Sequence, residues 1–279
     1  MSHPSLSLSI LDEQVKYLQS NAIELSTWKG YSTGVRDYIT FCLDHSLPLD
    51  PTPETLSHYI AYTFIFIAYT SIFIASAPKY LSGAHHFLCQ IYPNFDTNRA
   101  HPFVQATIVG SKKIQADPIR QKLPVHLAHL TSFQQVALIS QKYNDLLFIT
   151  LLSCCFYGCH RSGELILKNL KDEFNWHKII KRHSLVFNNN RLSYRLPYHK
   201  TNCFYRVTDI LFSSQRIADP VELLKTFVAC RDRLHGAHAA SFICENGSLP
   251  NQIWFDKKFF TLLDCHFGGH SLWQHYLFC

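Results

Sequence analysis

Glycine and proline are scarce in this 279-residue chain, at 10 and 12 residues, and only 16% of it is charged while 47% is hydrophobic. That balance excludes a collagen-like, low-complexity or disordered chain, whose weak hydrophobicity could not offset the entropy of ordering. At roughly 150 residues per domain the length gives a prior of about two domains. The ten cysteines include no C-x-x-C pair, and the opening MSHPSLSLSILDEQ has neither the basic start nor the apolar stretch of a secretory signal. Disulfide frameworks belong to small secreted domains, so the expectation is reduced thiols in an intracellular protein, nuclear if the host is eukaryotic. Cys154, Cys155, Cys159 and His160 are near neighbours in sequence, as are Cys265, His266 and His270. Buried thiols in apolar helices are the simpler reading of both groups, and no metal or other cofactor is expected.

A net charge of +6 is too mild to name a polyanionic partner. Its distribution says more. Residues 1–120 hold 8 basic and 9 acidic residues, net −1, and residues 121–279 hold 18 and 11, net +7. Residues 160–216 alone carry 11 basic against 4 acidic residues, a segment able to meet phosphates.

One apolar run, Tyr59 to Pro78, contains no charge and approaches the length of a membrane span. It is internally repeated: Ile60–Phe66 reads IAYTFIF and Ile67–Phe73 reads IAYTSIF. Without one copy the run has the length of a buried core helix, and seven residues are close to two helical turns, so the duplication keeps the inward face. The flanks also lack a basic cluster or a tryptophan belt. No membrane association is expected.

Along the chain, Ser26 is positioned to cap a helix through WKGYSTGVRDYITFCLDH, which Pro48, Pro51 and Pro53 end. Further helical stretches follow Pro78 and run from about His101 to Ile114, so residues 1–115 read as a helical bundle. Residues 116–124, ADPIRQKLP, have the composition of an interdomain linker. In residues 125–279 a helix is expected over Ser132 to Gly158. A hairpin follows at HSLVF-NNN-RLSYRLPY, where Leu192, Tyr194 and Leu196 alternate with Arg191, Ser193 and Arg195. A third strand is expected over Phe204 to Leu211 and a helix from Asp219, with Pro220 in its first turn. The fold class is mainly α with a small antiparallel sheet, α+β.

Three positions carry the chemistry. Arg161 follows the apolar helix in GCHRSGEL, with Glu164 three residues on, where a carboxylate can meet the guanidinium and direct it. Lys200 sits at the turn in LPYHKTN, and His270 follows two glycines in FGGHSL. Singly, these read as a structural ion pair, a solvated turn lysine and one histidine among 17.

Together and in this order they resemble the tyrosine recombinase, or phage-integrase, superfamily of DNA breaking-rejoining enzymes, over nearly the whole chain. That family joins a helical core-binding domain to a mixed catalytic domain with an arginine in an R-x-G-E-L-like string, a lysine in a β-hairpin turn and an H-x-x-R motif. The resemblance implies domains at 1–115 and 125–279. It makes Arg161, Lys200 and His270 catalytic positions, with Glu164 supporting the arginine. In such enzymes a tyrosine attacks a backbone phosphate to form a phosphotyrosyl link without a metal. Arginines and histidine hold the non-bridging oxygens while the lysine protonates the leaving 5′ oxygen. The partner implied is double-stranded DNA, bound as a homo-oligomer; Lys112 and Lys113, ending the last helix before the linker, are candidate phosphate contacts.

The pattern then breaks. After His270 the text reads Ser271, Leu272, Trp273, so the second arginine is replaced. An indole offers one neutral donor, and losing a transition-state donor costs roughly a hundredfold or more in rate. The family's nucleophile lies a few dozen residues past the motif, whereas this sequence stops at Cys279. The expectation is therefore an incomplete catalytic domain that binds DNA without cutting it. The alternative is an active strand-exchange enzyme in a full-length or trans-complemented form; a membrane or zinc protein is the remote third reading.

Overall fold

The computed structural model describes residues 7–70, 77–114, 124–168, 174–199 and 207–267. It is an α+β protein, mostly helical with one three-stranded antiparallel sheet. Contacts divide the chain into two units, Met1–Ile119 and Arg120–Cys279. The expected linker falls almost wholly outside the described residues.

The first unit contains α1 (Leu8–Ser20), α2 (Leu25–Asp44), α3 (Pro53–Thr70), α4 (Ala77–Leu88), α5 (Phe95–Ala100) and α6 (Pro102–Ile114). The cap expected of Ser26 is not there: Glu24 occupies the N-cap, because Trp28 N–H already donates to the Glu24 carbonyl at 2.9 Å. Thr52 does cap α3, its hydroxyl accepting from Thr55 N–H at 3.2 Å ahead of Pro53. Tyr38 and Phe41 of α2, Leu56, Tyr59 and Ile60 of α3, Leu81 and Ala84 of α4, Phe95 and Val104 form the core. The first copy of the repeat begins at this core with Ile60; the second starts at Ile67 in the last turn of α3, and its residues 71–73 lie outside the described residues. Among the described residues no helix is long and apolar enough to cross a membrane.

Helices α2 and α4 cross backbone to backbone. A Cβ at Gly34 would stand 2.5 Å from the Tyr80 carbonyl oxygen, and one at Gly83 would stand 2.5 Å from that of Tyr31. Both positions therefore require glycine for close approach rather than for backbone freedom.

The second unit contains α7 (Leu127–Ser140), α8 (Tyr143–Tyr157), α9 (Ser162–Leu165), β1 (Val186–Asn188), β2 (Arg191–Leu196), β3 (Thr208–Ser213), α10 (Pro220–His235) and α11 (Gln252–Phe267). The single helix expected over Ser132 to Gly158 is two. Gln141 adopts φ 51° and Lys142 is extended, which breaks the ladder, and Asp145 in the first turn of α8 accepts from the Ser140 hydroxyl at 2.7 Å. Lys258 of α11 pairs with the same carboxylate. Burial pushes the Asp145 carboxyl up, but the hydrogen bonds from Lys258 and Ser140 outweigh it and leave it below its usual range.

Helix α8 is buried from Leu147 to Cys155, which is why its sequence is apolar on all sides. Around it pack Leu130 and Phe133 of α7, Leu192, Tyr194 and Leu196 of β2, Leu224 and Phe227 of α10, and Phe255 and Phe259 of α11. The hairpin forms as its alternation dictates, with Phe187 opposite Leu192 and the turn at Asn189, φ 46°. Within the described residues the third strand is Thr208–Ser213, two residues past the expected end at Leu211, with Leu196 paired to Thr208 and Arg191 to Ser213; the expected start, Phe204 to Arg206, lies outside the described residues. Asp219 caps α10 through Val221 N–H at 2.9 Å, with Pro220 at the first position. Fully buried Arg231 of α10 donates to the carbonyls of Gly236 and Ala240 at 2.7 and 2.8 Å and also to that of His238. It thereby fixes the loop after the helix.

Candidate functional site

The site is built where α8 ends. Gly158 closes the helix, its N–H donating to the Cys154 carbonyl at 2.9 Å, and Cys159 takes φ 52° to turn the chain sharply. His160 then folds back into the core, 4% exposed, while Arg161 points outward at the N-cap of α9. The Gly158 position must be bare, since a Cβ there would lie 2.6 Å from Cδ2 of the His160 ring and 2.7 Å from the Cys154 oxygen. Short as it is, α9 is held at its far side: Leu167 N–H donates to the Pro250 carbonyl at 2.9 Å and the Leu167 carbonyl accepts from Gln252 N–H at 3.0 Å.

Glu164 joins the two directions. Its Oε2 accepts from the Arg161 backbone N–H at 3.3 Å and lies 3.3 Å from His160 Nδ1, while its Oε1 faces Arg161 Nη1 at 3.5 Å. The carboxylate is 11% exposed and the guanidinium side chain 55%. This is the arrangement a supporting carboxylate requires: a shielded anion that directs a solvent-facing cation. On the inner side, His160 Nε2 meets the Tyr194 hydroxyl of β2 at 2.8 Å, and the two rings stack 5.9 Å apart. Burial lowers the His160 pKa, opposed by the hydrogen bond and charge of Glu164, and burial raises that of Tyr194 well above a phenol's range. The cysteines of α8 are inert by the same physics, since burial pushes the thiols of Cys154 and Cys155 up.

Lys200 and His270, with Trp273 and the end of the chain, lie outside the described residues. The strands that flank Lys200 in sequence, β2 and β3, are described, and His199 at the head of that connection meets Thr208 Oγ1 at 3.4 Å. His199 is also close enough to His160 to contribute to lowering its pKa. Lys112 and Lys113 are exposed in the last turn of α6, in the other unit.

Much of the positive charge of residues 160–216 is already engaged. Arg182 pairs with Asp232 at 2.7 Å and Arg195 with Asp209 at 3.4 Å. Lys178 lies over the Tyr198 ring at 4.2 Å, and Lys181 lies 3.6 Å over the Trp176 ring while donating to its carbonyl. Arg191 and Arg216 are exposed. Among the described residues no group of three or more His, Cys, Asp or Glu could hold a metal ion. Cys42, Cys89, Cys154, Cys155, Cys159, Cys230 and Cys244 are free thiols.

Compared with known protein families and with curated proteins, the chain matches none. The function must therefore be argued from residues. Sequence reasoning paired Arg161 with Glu164, as the structure does, but did not connect His160 or Tyr194 to them. A signal for both existed: a histidine four residues before Glu164 on the same turn, and a tyrosine among the inward-facing positions of the hairpin.

Proposed function

We propose that this chain is a DNA-binding protein of the tyrosine recombinase type, acting in DNA recombination and integration, and that it does not cleave DNA by itself. The observation that carries the reading is the Arg161–Glu164 pair: an outward guanidinium aimed by a shielded carboxylate, placed directly after the buried helix α8. Such a guanidinium suits the planar fork of a phosphate's non-bridging oxygens. Support also comes from the order Arg161, Lys200, His270 along the sequence and from the net +7 of residues 121–279.

The chain's residues would hold a backbone phosphate rather than attack it. Arg161 neutralises one oxygen, and Lys200 and His270 are the remaining candidates for the same phosphate. Trp273, at the place of the second arginine, brings no charge to the pentacoordinate state, so strand cleavage lacks a donor worth roughly a hundredfold or more. The test incubates the chain with a nicked duplex oligonucleotide. Reversible binding that weakens with salt and leaves no protein–DNA adduct supports the proposal. A covalent phosphotyrosyl adduct overturns the inactive reading in favour of an active strand-exchange enzyme, and no binding at low salt removes DNA altogether.

A further inference from the structure

We infer that Tyr194 and His160 are positioning residues for Arg161, acting through Glu164 as a buried relay with a fixed hydrogen-bond direction. The inference rests on reading Arg161 as a phosphate-binding residue. Nothing in the sequence motif assigns either residue a role.

The argument begins with burial. Tyr194 is 0% exposed and His160 4% exposed, so each polar atom they carry needs a partner inside the protein. The partners form one line. The Tyr194 hydroxyl meets Nε2 of His160 at 2.8 Å, Nδ1 of that ring meets Oε2 of Glu164 at 3.3 Å, and Oε1 faces the Arg161 guanidinium. An ionised carboxylate can only accept, which requires the proton on Nδ1; Nε2 is then an acceptor and the tyrosine hydroxyl donates to it. Each link thus sets the next.

The consequence falls on the carboxylate. Oε2 receives two donors, the His160 ring and the Arg161 backbone N–H, both at 3.3 Å. Two donors on one oxygen fix the carboxylate plane, so Oε1 presents a constant face to Nη1 of Arg161. An apolar residue at 160 would fill the same space without ordering that plane. The bare Gly158 that admits the His160 ring shows the backbone accommodating the imidazole itself. A second-layer partner that orients a charged ligand-binding group is a general device, and losing it loosens the group without removing it.

The experiment has two arms on the full chain. In the first, nitrogen-15 NMR of histidine-labelled protein reads the His160 ring, assigned by the loss of its signals in His160→Gln. The expected spectrum has a protonated Nδ1 and a bare Nε2; the opposite tautomer, or a doubly protonated ring at neutral pH, overturns the relay. The second arm is a double-mutant cycle on duplex binding, with thermal melts confirming that each variant folds. Tyr194→Phe keeps the ring and should weaken binding about threefold when Arg161 is present and leave it unchanged in the Arg161→Ala background. Equal weakening in both backgrounds reveals a merely structural tyrosine and overturns the inference. Absence of duplex binding by the wild-type chain overturns the proposed function instead, and the ring spectrum still decides whether Glu164 is held through His160.

Discussion

Two glycines one turn apart on α2 should respond to the same substitution with opposite sign. Gly34→Ala places a methyl 2.5 Å from the Tyr80 carbonyl oxygen, 2.9 Å from its Cα and 3.1 Å from its carbonyl carbon. All three are backbone atoms of α4, so no rotamer change relieves the overlap and the helices must separate. Overpacking of that kind costs about 1–3 kcal/mol, against which alanine gains about 1 kcal/mol of helix propensity over glycine. Separation also loosens buried Tyr38, Leu81 and Ala84 around the crossing. The net expectation is a loss of about 1–2 kcal/mol for Gly34→Ala. Gly30→Ala meets nothing within 4 Å and should stabilise by about 0.5–1 kcal/mol. Hydrogen exchange by mass spectrometry on the full chain separates the first unit from the second. Protection of α2 and α4 amides should fall roughly tenfold in Gly34→Ala and rise a few-fold in Gly30→Ala. Unchanged or increased protection in Gly34→Ala would refute the backbone crossing.

Three further outcomes follow from the second unit and its histidines. Arg231→Met removes the donor set for three loop carbonyls and for Asp232 and should cost about 3–5 kcal/mol, seen as a large drop in urea midpoint; Arg231→Lys, lacking the planar fork, should not restore it. Gly158→Ala should cost about 1–3 kcal/mol and also weaken duplex binding, because the displaced ring is His160; a stable variant with weakened binding would still fit, whereas one unchanged in both would not. His160 and His129 are both held below 6.5 by burial, so the unfolded chain binds more protons as pH falls through 6.5. Stability should therefore decline from pH 6.5 downward and level once the folded-state values are passed; a urea midpoint that rises between pH 7.5 and 5.5 would contradict this.

What was legible in the sequence was local. Period-two alternation around Leu192, Tyr194 and Leu196 gave the hairpin, and Asp219 with Pro220 gave the start of α10. The break between α7 and α8 carries no glycine or proline at Gln141; its one sequence signal is the polar run Ser140 to Asp145, interrupted only by Tyr143. Helix α1 was not read from the sequence although Leu8, Leu11, Val15 and Leu18 recur at helical spacing; none of its residues is buried in the structure. The third strand runs past the expected Leu211 to Ser213 because cross-strand pairing with β2, rather than its own pattern, sets where it ends. At the site, Arg161 and Glu164 were readable from a three-residue spacing, but Tyr194 reaches His160 across 34 positions and Gly34 meets α4 across 46 to Tyr80. Such contacts exist only once the chain is folded.

The central claim, that Arg161 holds a DNA phosphate, is tested most directly by duplex affinity as a function of salt for the wild-type chain and Arg161→Ala. The account predicts a log–log slope of about −3 or steeper for the wild type, a loss of about sixtyfold or more between 50 and 200 mM salt. The variant should bind more weakly with a slope shallower by about one. Identical slopes for the two proteins, or no binding by either at low salt, would contradict it.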